Sequence, residues 1–261
     1  MPDADTSASD LPLLVEAAKA AGDIALGFFR RDPKVYTKTD QSPVTEADLA
    51  VDAYLRETLQ AARPDHGWLS EETADSDARL GRDRVFVVDP IDGTRAFIAG
   101  GDEWVVSVAI VEAGRPVAGV LFRPVTGALY TARLGGGAAL DGRVIRAGER
   151  ASLEGATLSG PRQMARDAGL AGVHPVPFVP SLALRLAYVA EGRIDVAIAR
   201  EKAKDWDLAA ADLIVAEAGA RLTDHAGVPA LYNRPAPVHP ALVAAGDRLL
   251  PVLLDRLAQK G

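Results

Sequence analysis

The chain contains no cysteine, which excludes disulfides, thiol nucleophiles and thiolate metal sites. It has no apolar run approaching the ~20 residues that span a bilayer. It also lacks a Lys/Arg run, and its formal net charge is −7. Both features argue against a general binder of nucleic-acid polymers and leave any anionic substrate dependent on metals or a few placed cations. His66, His174, His225 and His239 show no HxxH or HxxxH spacing, so they read as ordinary surface or core residues rather than a paired metal site. The acidic, small-residue start Met1–Asp10 has neither the basic nor the apolar region of a signal peptide. A cytoplasmic location without a membrane partner is therefore expected.

What remains is an ordinary globular composition. With 261 residues, 48% hydrophobic and 25% charged, the chain can bury one large core or two tightly joined halves. The segment Val85–Phe97 organises the rest. Its β-branched run Val85, Val87, Val88 reads as a buried strand that ends on Asp89. Asp92-Gly93 between apolar runs is also a hairpin signal. A plain hairpin, however, gives no partner to Asp89, and an unpaired carboxylate there costs several kcal/mol. The segment instead offers carboxylates for a hard cation, backbone N–H groups for an anion, and the Thr94 hydroxyl.

Apolar spacing predicts a helix from Leu11 to Phe29, capped by Ser9 or Asp10 after a frayed tail. Lys34–Pro43 reads as an extended loop or hairpin. A helix follows from Thr45 to before Pro64, with Asp48 near a capping box and Val51, Tyr54, Leu55, Leu59 and Ala62 inward. Asp75–Arg84 reads as a charged, mobile loop. Strands are predicted at Trp104–Glu112, Pro116–Arg123 and Ala128–Ala132, the first two joined by Ala113-Gly114. Gly135-Gly136-Gly137 lacks the GxxxxGK[ST] pattern and reads as a turn. Strand–helix alternation begins near Ala147–Gly155, dividing the chain into halves 1–150 and 151–261. Strands at Ala156–Ser159, Ile194–Ala199, Ala220–Thr223 and Leu242–Ala245 are expected. They are interleaved with helices from Pro180 or Ser181 to Gly192, from Asp207 through Ala218 with Gly219 closing, and at Leu249–Leu257. The first half reads as α+β with antiparallel strands, the second as α/β.

Glu71, Asp89, Asp92 and Asp207 are candidates for one cluster, each at a strand end or helix start. Individually, Glu71 also reads as a solvated acid beside Glu72, and Asp207 as a plain N-cap. An all-carboxylate set suits Mg²⁺ or Mn²⁺. Four such charges repel a phosphate until two or three divalent ions outweigh them, so metal would be needed for binding as well as chemistry.

Ser70-Glu71-Glu72, Asp89-Pro90-Ile91-Asp92-Gly93-Thr94, and Trp206-Asp207-Leu208-Ala209-Ala210 with Glu217-Ala218-Gly219 resemble the three signatures of the inositol monophosphatase superfamily. Ser42–Asp48 and Val189–Asp195 add agreement, and the resemblance runs from about Leu11 to the C-terminus. The family comprises Mg²⁺-dependent, lithium-sensitive phosphatases of small phosphorylated metabolites. The resemblance implies a layered αβαβα sandwich, Li⁺ as inhibitor, and a metal set of Glu71, Asp89, Asp92, Asp207 and the Ile91 carbonyl. It implies phosphate binding by Asp92, Gly93 and Thr94, and a nucleophilic water oriented and deprotonated by Thr94 with Glu71 or Asp48. The implied reaction is in-line attack of metal-activated water on phosphorus, a second metal stabilising the leaving alkoxide. The family often forms dimers, so a homodimer is compatible. Pro180 departs from the Gly that many relatives carry before the substrate-contacting serine matched by Ser181. Arg200–Asp205 also differs in length from the animal inositol enzymes. The Asp-x-Asp-x-Thr phosphatases are a poorer match, because Pro90 occupies the position two before Asp92.

Within the superfamily, Ser42–Asp48 and Ser70-Glu71-Glu72 look most like the bacterial 3'(2'),5'-bisphosphate nucleotidases. Adenosine 3',5'-bisphosphate is the first substrate expected and inositol 1-monophosphate the second. A second phosphate needs a cation outside the metal cluster. Arg185 lies four residues after Ser181 on one face of a predicted helix, and Lys202 and Lys204 follow in facing segments. Arg185 reads equally as a surface cation. Glu201 falls near the acid that grips inositol hydroxyls in the inositol enzymes. A reading of another class is a partner-binding regulatory protein with residual phosphatase activity, and Mg²⁺-dependent phosphate release separates the two.

Overall fold

The computed structural model describes residues 4–39, 41–160, 170 and 172–259. Helix α1 (Ala4–Phe28) leads to a hairpin of β1 (Val35–Thr37) and β2 (Pro43–Thr45), then to α2 (Glu46–Ala62). A seven-stranded sheet follows in chain order: β3 (Gly67–Ser70), β4 (Arg84–Asp92), β5 (Val105–Glu112), β6 (Arg115–Arg123), β7 (Ala128–Arg133), β8 (Gly137–Leu140) and β9 (Arg143–Val144). The five-residue α3 (Thr94–Ile98) sits between β4 and β5. β3 and β4 run parallel and the remaining neighbours antiparallel. The second sheet has five strands: β10 (Thr157–Ser159), β11 (His174–Pro175), β12 (Val196–Ala199), β13 (Ala220–Asp224) and β14 (Leu242–Gly246), in the order β11-β10-β12-β14-β13. Its helices are α4 (Leu182–Ala190), α5 (Asp205–Glu217) and α6 (Leu250–Ala258). No described helix is long and apolar enough to cross a membrane.

Alternation along β4 sets the layers. Phe86 and Val88 pack with α1 and α2, while Val85 and Val87 pack with α4 and α5. A strand apolar on both faces must be covered on both, each buried Val or Phe contributing about 1.5–3 kcal/mol. β12 repeats the arrangement: Ala197 and Ala199 face α4 and α5, and Val196 and Ile198 face α6. The result is the expected αβαβα sandwich.

Four local expectations change. α1 starts at Ala4, so Asp10 is no cap: it lies fully buried inside the helix, held by Arg63 at 2.7 Å and Arg84 at 2.9 Å. Ala62, expected on the inner face, is exposed as the last residue of α2, where Arg63 closes the helix. Asp75–Arg84 is ordered rather than mobile. It forms a 3₁₀ turn at Asp77–Gly81, and Arg79 is buried between Asp75, Asn233 and the Arg234 carbonyl. α5 starts at Asp205, two residues before Asp207. Its first turn is pinned there because the buried Asp205 meets His239 Nε2 at 2.7 Å and accepts the Asn233 N–H at 2.7 Å.

Candidate active site

Asp89 and Asp92 are three apart on one strand, a spacing that normally points side chains to opposite faces. Asp89 pairs with Ser107 and Asp92 with Val105, so that two residues on β4, Pro90 and Ile91, stand against one on β5, Val106. That bulge inserts one residue, restores the parity and turns both carboxylates to one side. Asp207 arrives in the first turn of α5, its Oδ2 accepting the Lys204 N–H at 2.7 Å. One carboxylate oxygen each from Asp89, Asp92 and Asp207 lies within 4.8 Å of the others.

These acids converge against their own repulsion. Burial, then the charges of Glu71, Asp92 and Asp207, push the Asp89 carboxyl well above its usual range. Asp207 is raised by burial and then by Asp92 and Glu71. Asp92 is pushed up to about 6, chiefly by burial. The shift is restrained by the Ser181 hydroxyl donating at 2.6 Å and the Ala183 N–H at 2.7 Å. Buried acids in mutual repulsion, with all-oxygen donors, fit a hard divalent cation such as Mg²⁺ or Mn²⁺.

A pH dependence follows from Asp92. The folded chain keeps the proton on Asp92 up to about 6, whereas the unfolded chain releases it near 3.8. The burden this acid places on the metal-free fold is therefore absent below the lower value and fully present above the upper one. In chelator, the Asp92→Asn variant should lose part of the stability decline that the wild type shows between about pH 4 and about pH 6. Urea denaturation across that window checks it; identical slopes would contradict it.

Glu71 lines the same pocket, of about 250 Å³, with Asp89, Ile91, Asp92, Gly93, Thr94 and Asp207. Its Oε1 accepts Lys38 Nζ at 2.7 Å, and Lys38 also reaches Glu72 Oε1 at 2.7 Å. Burial opposes the Lys38 charge, but both glutamates outweigh it and hold the ammonium protonated. Nothing in the polar hairpin sequence marked Lys38 out.

Asp48 is buried and outside the pocket lining, and its two oxygens divide two duties. Oδ2 accepts the Thr45 N–H at 2.7 Å and the Thr45 hydroxyl at 2.6 Å, completing the capping box of α2. Oδ1 lies 3.3 Å from the Thr94 hydroxyl, which also reaches the Ile91 carbonyl at 3.0 Å. Burial raises the Asp48 carboxyl and the bonds from Thr45 moderate the rise. Gly93 caps α3 with φ +99°, and a Cβ there would stand 2.8 Å from the Glu103 carbonyl oxygen. Gly93→Ala should therefore cost about 1–3 kcal/mol in urea denaturation. A variant as stable as wild type would refute that strain.

The expected substrate contacts are placed differently. The Ser181 hydroxyl caps α4 and is given to Asp92. Arg185 is buried behind the pocket, its guanidinium donating to the Val179 carbonyl at 2.8 Å and the Ile198 carbonyl at 2.8 Å. Burial lowers it to about 10. Glu201 is exposed on the turn before α5 and outside the pocket lining, and Lys204 meets Asp207 through its backbone N–H. Phe178, which the sequence reading passed over, lines the pocket beside Pro43 and Pro180.

The layered sandwich brings carboxylates together at the bulged end of β4, next to the edge of the seven-stranded sheet, in a set that could hold a metal ion. The inositol monophosphatase family model matches residues 8–259. The chain is 38% identical to the histidinol-phosphatase of Mycobacterium tuberculosis, over 85% of this chain and 90% of that one. It is 36% identical to the inositol-1-monophosphatase of Rhizobium meliloti, over 83% and 86%. Among solved structures, the extragenic suppressor protein suhB of Bartonella henselae superposes with TM-score 0.85 at 29% identity, covering 95% of this chain and 98% of that one. The chain belongs to the inositol monophosphatase family, whose members are generally Mg²⁺-dependent.

Proposed function

We propose that the chain hydrolyses the single phosphate ester of a small metabolite, with Asp89, Asp92, Asp207, Glu71 and the Ile91 carbonyl holding two or three Mg²⁺ ions. The observation that carries this reading is that Thr94 lines one pocket with the acidic cluster while its hydroxyl lies 3.3 Å from Oδ1 of the buried Asp48. Bound metal would supply the positive charge that attracts the phosphate and lowers the pKa of a water. Thr94 orients that water, and Asp48 Oδ1 takes its proton through the Thr94 hydroxyl. The bond from water oxygen to phosphorus forms as the bond from phosphorus to the alcohol oxygen breaks, and the proton taken up by Asp48 passes through solvent water to the leaving alcohol oxygen, which restores the Asp48 carboxylate. Gly93 and Thr94 offer the first-turn N–H groups of α3, which have no partner within the helix, to the phosphate oxygens.

Arg185, the cation first expected to hold a second phosphate, is committed to the Val179 and Ile198 carbonyls, and Lys38 to Glu71 and Glu72, which leaves Arg95 as the cation in the pocket lining. The commitment of Arg185 favours a monophosphate over the bisphosphate nucleotide expected first from the sequence, and the names of the two relatives support the same class. Phosphate release with Mg²⁺ should give a higher kcat/KM for inositol 1-phosphate than for adenosine 3',5'-bisphosphate. The reverse order would restore the nucleotide.

A further inference from the structure

Phe178 stands in the wall of the acidic pocket, where phosphate chemistry has no use for an aromatic ring. The residue is 51% exposed, and the Arg185 guanidinium covers one face of its ring at 4.5 Å from the centroid. That cation is itself fixed. It is 4% exposed, with Nε and Nη2 on the Val179 carbonyl and Nη1 on the Ile198 carbonyl. The chain leaving Phe178 is equally constrained. Val179 is buried and precedes Pro180, which confines it to extended backbone, and Pro180 has a fixed φ. Ser181 then caps α4 and donates to Asp92. Three consecutive residues thus tie the ring to a carboxylate of the acidic cluster. Pro43 and Pro180 add apolar surface to the same wall. A ring backed by a cation, rigidly placed and otherwise open to the pocket, is a stacking platform.

We infer that Phe178 determines specificity, and that the substrate's leaving alcohol carries a planar unsaturated ring which stacks on it. This rests on the phosphatase reading above and names its substrate class. A saturated polyol offers no π-face to Phe178, whereas an imidazole or another heteroaromatic ring does.

The test compares kcat/KM for histidinol phosphate, an imidazole-bearing ester, with that for inositol 1-phosphate at saturating Mg²⁺. Wild type should prefer the imidazole ester by roughly tenfold, the scale of one aromatic contact. Phe178→Ala should bring that ratio close to one, mainly through KM for the imidazole ester, and Phe178→Trp should keep the preference. The half-exposed position makes a folded alanine variant the expectation, checked by circular dichroism. Turnover without a ring preference, or equal losses for both esters in Phe178→Ala, would overturn this inference and leave the phosphatase reading standing. No phosphate release from either ester would overturn both.

Discussion

Asp89→Asn is expected to abolish Mg²⁺-dependent phosphate release, by about 10³-fold or more, while the fold stays intact. The size follows from the several kcal/mol of transition-state charge stabilisation that a correctly held metal supplies. The accompanying effect has the opposite sign for stability. Asp89 is 1% exposed and repelled by Glu71, Asp92 and Asp207. Neutralising it should raise the melting temperature measured in chelator, where no cation offsets the repulsion. Asparagine keeps an oxygen that can accept the Ile91 N–H, now 3.0 Å from Asp89 Oδ1, so the strand end should hold its shape. Substantial activity at saturating Mg²⁺ would remove Asp89 from the metal set. An unchanged melting temperature in chelator would show that the repulsion is relieved by other means.

Asp48→Asn separates water activation from helix capping. The cap uses Oδ2, on which Thr45 places both its N–H and its hydroxyl. An asparagine oxygen can still accept from the Thr45 N–H, so the stability change should stay within about 1 kcal/mol. Proton transfer has no such substitute, because an amide does not act as a base at Oδ1. The expected outcome is a kcat lowered by about 10²-fold or more with KM little changed. A destabilised variant with normal kcat would reduce Asp48 to its capping role.

Much of the architecture is legible within short windows. The capping box at Thr45–Asp48 is four residues long. The Ala113-Gly114 hairpin announces itself by its glycine, which takes φ 75° without a Cβ penalty, while Ala113 is drawn to φ 50° by the turn. The strand that carries Asp89 is visible because β-branched residues cluster where both faces are buried, although it does not end there but runs on through a bulge to Asp92. Windows mislead where a distant partner decides. Asp10 looks like an N-cap until Arg63 and Arg84, contributed by other elements, enclose it. Arg79 looks like part of a charged loop until Asn233 and Arg234 come over it from the far half of the chain.

By itself, the sequence determined that the strand–acid–Gly-Thr segment exists, that the helices and most strands lie near their observed positions, and that an oxygen-only ligand set excludes thiolate chemistry. These properties depend on dihedral preference, apolar period and side-chain chemistry, all of which are local. Only the tertiary structure decided that a bulge opposite Val106 turns Asp89 and Asp92 to one side, where Asp207 meets them. It also decided that Ser181 serves Asp92, and that Arg185 spends its charge on two carbonyls behind Phe178. The physical reason is that a donor's choice among acceptors is made by burial. In water a guanidinium can wait for a phosphate, but once packed between α4 and β12 it must satisfy its N–H groups with whatever carbonyls the fold brings near.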